Sequence, residues 1–217
     1  MLVMVVDTAT AAVTAALARV GDDNVILLSE QVTVDARGAG ELLAPQITAV
    51  LAEGGAAAGD LAAIVAGVGP GPFTGLRAGL VTAAALGHAL GIPVYGVCTL
   101  DAIGLRLPGR SLVATDARRK EIYWAVYDDG ARIAGPDVAR PAAVPLDGIA
   151  RAGGDGAEKY SDVLGLPVEG SPYPSALALA ELAADRVRGK APAETLTPLY
   201  LRRPDAVLPG ERKPALR

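Results

Sequence analysis

One stretch governs what this chain can become: Gly67-Val68-Gly69-Pro70-Gly71-Pro72-Phe73-Thr74-Gly75-Leu76-Arg77. It follows the apolar run Leu61–Ala66 and precedes an alanine-rich segment with helical spacing. A strand that breaks into a glycine turn and opens a helix is where many α/β proteins hold an anion, since helix N-terminal N–H groups point outward unpaired. Here Pro70 and Pro72 fix φ and remove two of those donors, whereas an anion nest needs successive N–H groups. The Gly-Lys-Ser/Thr ending of a phosphate-binding loop is also missing. The turn therefore reads as a rigid launch point for a helix, with Gly69, Pro70, Gly71, Thr74 and Arg77 as its structural residues. Thr74 is placed to cap the helix or bond a neighbour. Arg77 is placed to pair with an acid such as Asp7 or with a partner chain.

The rest of the first half has a clear rhythm. Leu2–Val6 is a continuous apolar run, as in a buried strand. Residues 11–20 and 24–34 are strand candidates joined by the hairpin signal Gly21-Asp22-Asp23. Leu43, Ile47, Val50 and Leu51 recur at helical spacing, with Pro45 starting or kinking that helix. Residues 61–68 form a strand, 73–90 a helix and 93–97 a further strand. The order is β-β-β-α-β-α-β, which resembles the half-unit of the actin, hexokinase and sugar-kinase superfamily. The second half repeats the theme with strands over 112–115 and 121–127, a turn at Asp128-Asp129-Gly130, and a helix from Ser175 to about Val187. The boundary between halves falls near Thr99–Pro108. The expected division is 1–103 for an N-terminal, partner-binding lobe and 104–217 for a C-terminal lobe with a basic tail.

Composition limits the function classes. Hydrophobic residues make up 51% of 217 residues, enough for a sizeable core. Net charge −4 argues against a general nucleic-acid coat. Cys98 is the single cysteine, so no internal disulfide forms and a reducing compartment is expected. Met1–Val6 lacks a basic leader pattern and meets Asp7, so it does not read as a signal peptide. The apolar stretch Ala78–Val97 is broken by His88 and Pro93 and reads as helix, turn and strand rather than a membrane span.

Catalytic groups are sparse. A lone histidine, His88, cannot make a two-histidine metal site, and it reads as a packed or solvent-edge helix residue. Cys98 reads as a buried structural thiol. No Gly-x-Ser-x-Gly elbow surrounds any serine. Asp7 ends the first strand, where nucleotide-binding relatives hold a metal acid, but Ala9 stands where their pattern has glycine, and a Cβ there would crowd a phosphate. The alternative is that Asp7 caps its turn while Thr8 and Thr10 bond local backbone. Asp116 with Arg118 mirrors Asp7 in the second half, either as a relic of a second phosphate loop or as a local ion pair. Asp7, Thr8 and Asp116 are the candidate residues of a vestigial nucleotide site.

Within the helix over 73–90, Gly75, Gly79, Ala83 and Gly87 recur every four residues as one smooth stripe. Each interior glycine costs about 0.5–1 kcal/mol relative to alanine. Close approach of another element offsets this. That element is either the protein's own sheet or another chain.

A family resemblance rests on Asp7-Thr8-Ala9-Thr10, the glycine turn 69–77, Asp116-Ala117-Arg118 with Glu121-Ile122-Tyr123, and Pro198-Leu199-Tyr200-Leu201-Arg202. In this order the chain resembles the TsaB (YeaZ) family over nearly its whole length. The resemblance implies an actin-like, sugar-kinase-like (ASKHA) two-lobed α/β fold, each lobe a mixed β-sheet flanked by helices. It implies a non-catalytic cytoplasmic subunit, with no metal and no cofactor of its own, in the bacterial machinery that places threonylcarbamoyl on the adenosine beside the tRNA anticodon. The implied partners are TsaD, the catalytic subunit, and the ATPase TsaE. Adenine nucleotide would then sit at the joint with partner subunits, and tRNA would be met through the complex. It favours the stripe Gly75, Gly79, Ala83, Gly87, with Leu43, Ile47, Val50 and Leu51, as the interface with TsaD or with a second copy. The family more often has serine where Pro72 stands, so this chain gives up a hydroxyl there. Arg118-Arg119-Lys120 and the tail cations Arg202, Arg203, Arg212, Lys213 and Arg217 are candidates for a tRNA contact, with a solvated face as the alternative. Two other readings stand beside this one: an independent ASKHA-type ATPase or phosphotransferase, and a peptidase.

Overall fold

The structure is a computed structural model, and it describes residues 1–202. Strands β1 (Leu2–Asp7), β2 (Ala12–Val20) and β3 (Val25–Val34) form an antiparallel meander. Helix α1 (Ala39–Glu53) leads to β4 (Leu61–Gly67), which pairs parallel with β1. Helix α2 (Phe73–Leu90) leads to β5 (Val94–Val97), parallel to β4. The sheet order is β3-β2-β1-β4-β5, and the order of elements along the chain is the one that the apolar runs and turn signals predict. Helix α1 begins at Ala39, six residues before Pro45, so the proline does not start it. Its entry is set by Asp35, whose carboxylate accepts from Arg37 N.

A short helix α3 (Thr99–Gly104) occupies the stretch read as a boundary. Six residues are too few to show a period. Strands β6 (Arg110–Asp116), β7 (Ile122–Asp128) and β8 (Ala131–Ala139) form a second meander. Strand β9 (Arg151–Gly153) joins it in parallel on β6, giving the order β8-β7-β6-β9. Helices α4 (Asp155–Lys159) and α5 (Ser161–Leu164) follow. Helix α6 (Ala176–Arg188) starts at Ser175, whose hydroxyl accepts from Ala178 N. Its alanine face returns to the first sheet: Ala176, Leu179, Ala180, Ala183 and Val187 are buried with Val3, Val5, Ala16, Val65 and Tyr95. Helices α1 and α2 cover the opposite face of that sheet. Among the described residues no helix is long and apolar enough to cross a membrane.

Candidate functional site

The glycine turn sits where both sheets and the chain's last described segment meet. Val68 N donates to Val97 O, and Thr99 N to Gly69 O, each at 2.8 Å. Gly69 N donates to Thr99 Oγ1 at 3.2 Å. The same hydroxyl donates to Asp7 Oδ2 at 2.7 Å, and Ala9 N donates to Asp7 Oδ1 at 2.8 Å. Both carboxylate oxygens are therefore occupied, and Asp7 is fully buried. A Cβ on Gly67 would lie 1.7 Å from Asp7 Oδ2, and one on Gly71 would lie 2.1 Å from Ala9 O. The turn is thus packed too closely on Asp7 and Ala9 to admit a side chain at either glycine. Tyr123 O–H reaches Gly71 O across the lobes at 3.5 Å.

Asp7 does cap its turn, and Thr10 accepts locally from Ala12 N. Thr8 is not local. Its hydroxyl donates to Gly75 O at 2.7 Å and accepts from Gly79 N at 3.2 Å, tying the first strand's end to α2. No side chain caps α2, whose N-cap is Pro72, so Thr74 does not act as a cap. Nor does Arg77 pair with Asp7, which is sealed inside. Arg77 Nε donates to Tyr200 Oη at 2.8 Å, and its guanidinium lies 3.9 Å from the Phe73 ring centroid. Phe73 and Tyr200 stack at 5.4 Å. Sequence reasoning missed this cluster, because 123 residues separate Arg77 from Tyr200.

The small-residue stripe faces inward, which is the intramolecular one of its two readings. A Cβ on Gly79 would lie 2.3 Å from Thr8 Oγ1, and one on Gly87 would lie 2.5 Å from Val94 Cγ1. A Cβ on Gly75 would lie 2.9 Å from Thr8 O, and Ala83 is buried. Leu43 and Val50 are likewise buried in the chain's own core, with Ile47 and Leu51 packed beside them. The outer faces are different residues. Phe73, Arg77 and Val81 form an exposed row on α2, with Val81 66% exposed. Ala44, Pro45 and Thr48 are exposed on α1.

Burial pushes the Asp7 carboxyl up to about 6, against the lowering effect of Thr99 and Ala9 N. The folded chain thus keeps a proton that the unfolded chain releases from about pH 4 upward. Stability from this group is present below pH 4 and is lost as pH rises through 6, by about 3 kcal/mol. Asp7→Asn removes that loss. Urea melts are expected to match wild type at pH 4 and to exceed it at pH 8. A wild-type melt at pH 8 as stable as the variant's would contradict the burial argument.

In the second half, Asp116 accepts from Lys159 Nζ at 2.9 Å, and its carboxylate lies 3.6 Å from Arg118 Nη1. The local ion pair is present. Arg118, Arg119 and Lys120 are exposed and have φ of 62°, 55° and 62°. Arg202 is bonded to Glu121, while Arg203, Arg212, Lys213 and Arg217 lie outside the described residues. Cys98 is buried at the start of α3, with its thiol pushed up to about 11 by burial and Asp101. His88 is exposed in the last turn of α2. Among the described residues no three His, Cys, Asp or Glu side chains gather as a metal set.

Comparison with known proteins decides the family. The model for "TsaD: tRNA N6-adenosine threonylcarbamoyltransferase" matches residues 31–198. The Escherichia coli (strain K12) tRNA threonylcarbamoyladenosine biosynthesis protein TsaB is 34% identical over 132 residues, 58% of this chain and 55% of that protein. The structure of YeaZ from Pseudomonas aeruginosa superposes with a TM-score of 0.74 at 28% identity, covering 92% of this chain and 99% of that one. The chain belongs to the TsaB/YeaZ family. An uncharacterized protein of Mycobacterium tuberculosis (strain H37Rv) is 53% identical over 207 residues, 94% of this chain and 93% of that protein. The fold is the actin-like ASKHA type, with each sheet opening on an antiparallel meander and closing on a parallel strand.

Proposed function

We propose that this chain is a non-catalytic cytoplasmic subunit of the machinery that places threonylcarbamoyl on tRNA, pairing with TsaD through the outer face of α1 and α2. Family membership supports the role in threonylcarbamoyladenosine biosynthesis. The observation that carries the pairing is the chemistry of that face. Between Glu41 and Glu53 the exposed residues of α1 are Ala44, Pro45, Thr48 and Ala52, none of them charged. Along α2 they include Phe73, Val81, Ala84 and Ala85, with Arg77 the single permanent charge. Exposed apolar side chains gathered on paired helices mark an association surface. Aromatic residues and arginine are the side chains that dominate such surfaces energetically. The sealed Asp7 supports a subunit that holds no nucleotide of its own, with ATP or ADP at the joint with TsaD and TsaE. An independent phosphotransferase would need that carboxylate open.

Reconstitution tests the reading. TsaD, TsaE, tRNA, ATP and threonylcarbamoyl-adenylate are combined with and without this chain, and the modified base is followed. Modification is expected to depend on the chain, and the chain alone is expected to turn over no ATP. Equal modification in its absence would overturn the proposal. Gel filtration of the chain alone separates the second pairing, a homodimer through the same face, from a monomer that waits for TsaD.

A further inference from the structure

A cavity of about 660 Å³ opens at the far end of the first sheet from the glycine turn, between the C-terminal ends of α2 and α6. Its walls are mainly small and aliphatic: Ala62, Ala84, Ile92, Val94 and Val187 are among them. Its size and lining suit a small ligand with an apolar body. The polar chemistry at its edge is one-sided. Lys190 and His88 line it, and no aspartate or glutamate does. Some of the last carbonyls of both helices are already bonded. Gly91 N bonds His88 O, Ile92 N bonds Gly87 O, Lys190 N bonds Val187 O and Ala191 N bonds Arg186 O.

Lys190 is also held in an unusual backbone state. Its φ is 48°, in the left-handed region where a helix end ordinarily places glycine. Gly189, one residue earlier, has φ −74° and does not take that role. Tyr95 O–H donates to Ala191 O at 2.7 Å and pins the segment. A non-glycine residue kept there is strained, and the side chain it carries is among those that line the cavity.

We propose that this cavity binds a small amphipathic carboxylate, with its aliphatic body against Ile92, Val94 and Val187 and its carboxylate at Lys190. The probe is decanoate below its micelle concentration, with decanol and decylamine as neutral and cationic counterparts. Calorimetry on the full chain is expected to find one decanoate site, at least about tenfold tighter than either counterpart. Lys190→Gly removes the ammonium in a conformation glycine accepts without strain. It should weaken decanoate about tenfold while leaving decanol unchanged, with the melting temperature held or raised. Ala84→Trp, which fills the mouth from an exposed helix position, should abolish binding of all three. Equal affinities for decanoate and decanol, or Lys190→Gly binding decanoate as wild type does, would overturn the proposal.

Discussion

The Gly79→Leu variant is expected to be unable to hold the first lobe together, with a loss of about 5 kcal/mol. The reason lies in one hydroxyl. Thr8 Oγ1 donates to Gly75 O and accepts from Gly79 N, so it bridges two turns of α2 from the end of β1. A Cβ at position 79 would stand 2.3 Å from that oxygen, well inside contact distance. Thr8 is buried and β-branched, so it has no free rotamer into which to retreat. Leucine would push α2 off the sheet or break both bonds, and the rest of its side chain has no room. A loss of this size is comparable to the whole stability of many domains. Thermal unfolding followed by circular dichroism measures it. The milder Gly79→Ala isolates the clash: it should cost much less in a Thr8→Ala background than in wild type, a coupling that a double-mutant cycle reads directly. A Gly79→Leu chain that melts like wild type would show that the helix does not sit this close.

The contact between Thr8 and Gly79 was only half legible in the sequence. The spacing of Gly75, Gly79, Ala83 and Gly87 identified a face of close approach. It could not tell which neighbour approaches, because a glycine records only that space is scarce. The neighbour is Thr8, and nothing local to Thr8 points 67 residues ahead to Gly75. The first sheet was readable because its strands are long apolar runs and its turns carry Gly and Asp at hairpin positions. The second half was read less completely. Strand β9 has three residues and α4 five, too short for any period, and their pairing rests on glycines pressed against β6, where a Cβ on Gly154 would lie 2.3 Å from Ala114 O. The Phe73–Arg77–Tyr200 stack was invisible for a different reason. It forms only once the segment after α6 has crossed back over the glycine turn, where Leu199 N bonds Val68 O.

The other side of the same helix gives the second large effect. Val81→Asp is expected to weaken pairing with TsaD by about 100-fold or more while leaving the fold intact. Val81 is 66% exposed in the isolated chain, so its replacement removes little packing and should move stability by no more than about 0.5 kcal/mol. In a closed interface the same position would bury a carboxylate among apolar groups, with only Arg77, one turn away and already bonded to Tyr200 Oη, in reach, which costs several kcal/mol. Phe73→Ala should also weaken pairing, because it removes an exposed aromatic and releases Arg77 from the ring against which the guanidinium is stacked. Titration calorimetry with TsaD, beside a melting curve of each variant alone, separates the two quantities. Gly79→Leu should fail in the melt before pairing can be measured, whereas Val81→Asp should melt normally and fail only in pairing. Val81→Asp pairing as tightly as wild type would remove this face from the interface. Loss of pairing with an unchanged melt would place the contact on the row Phe73, Arg77 and Val81, about half a turn of the helix away from Gly75 and Gly79.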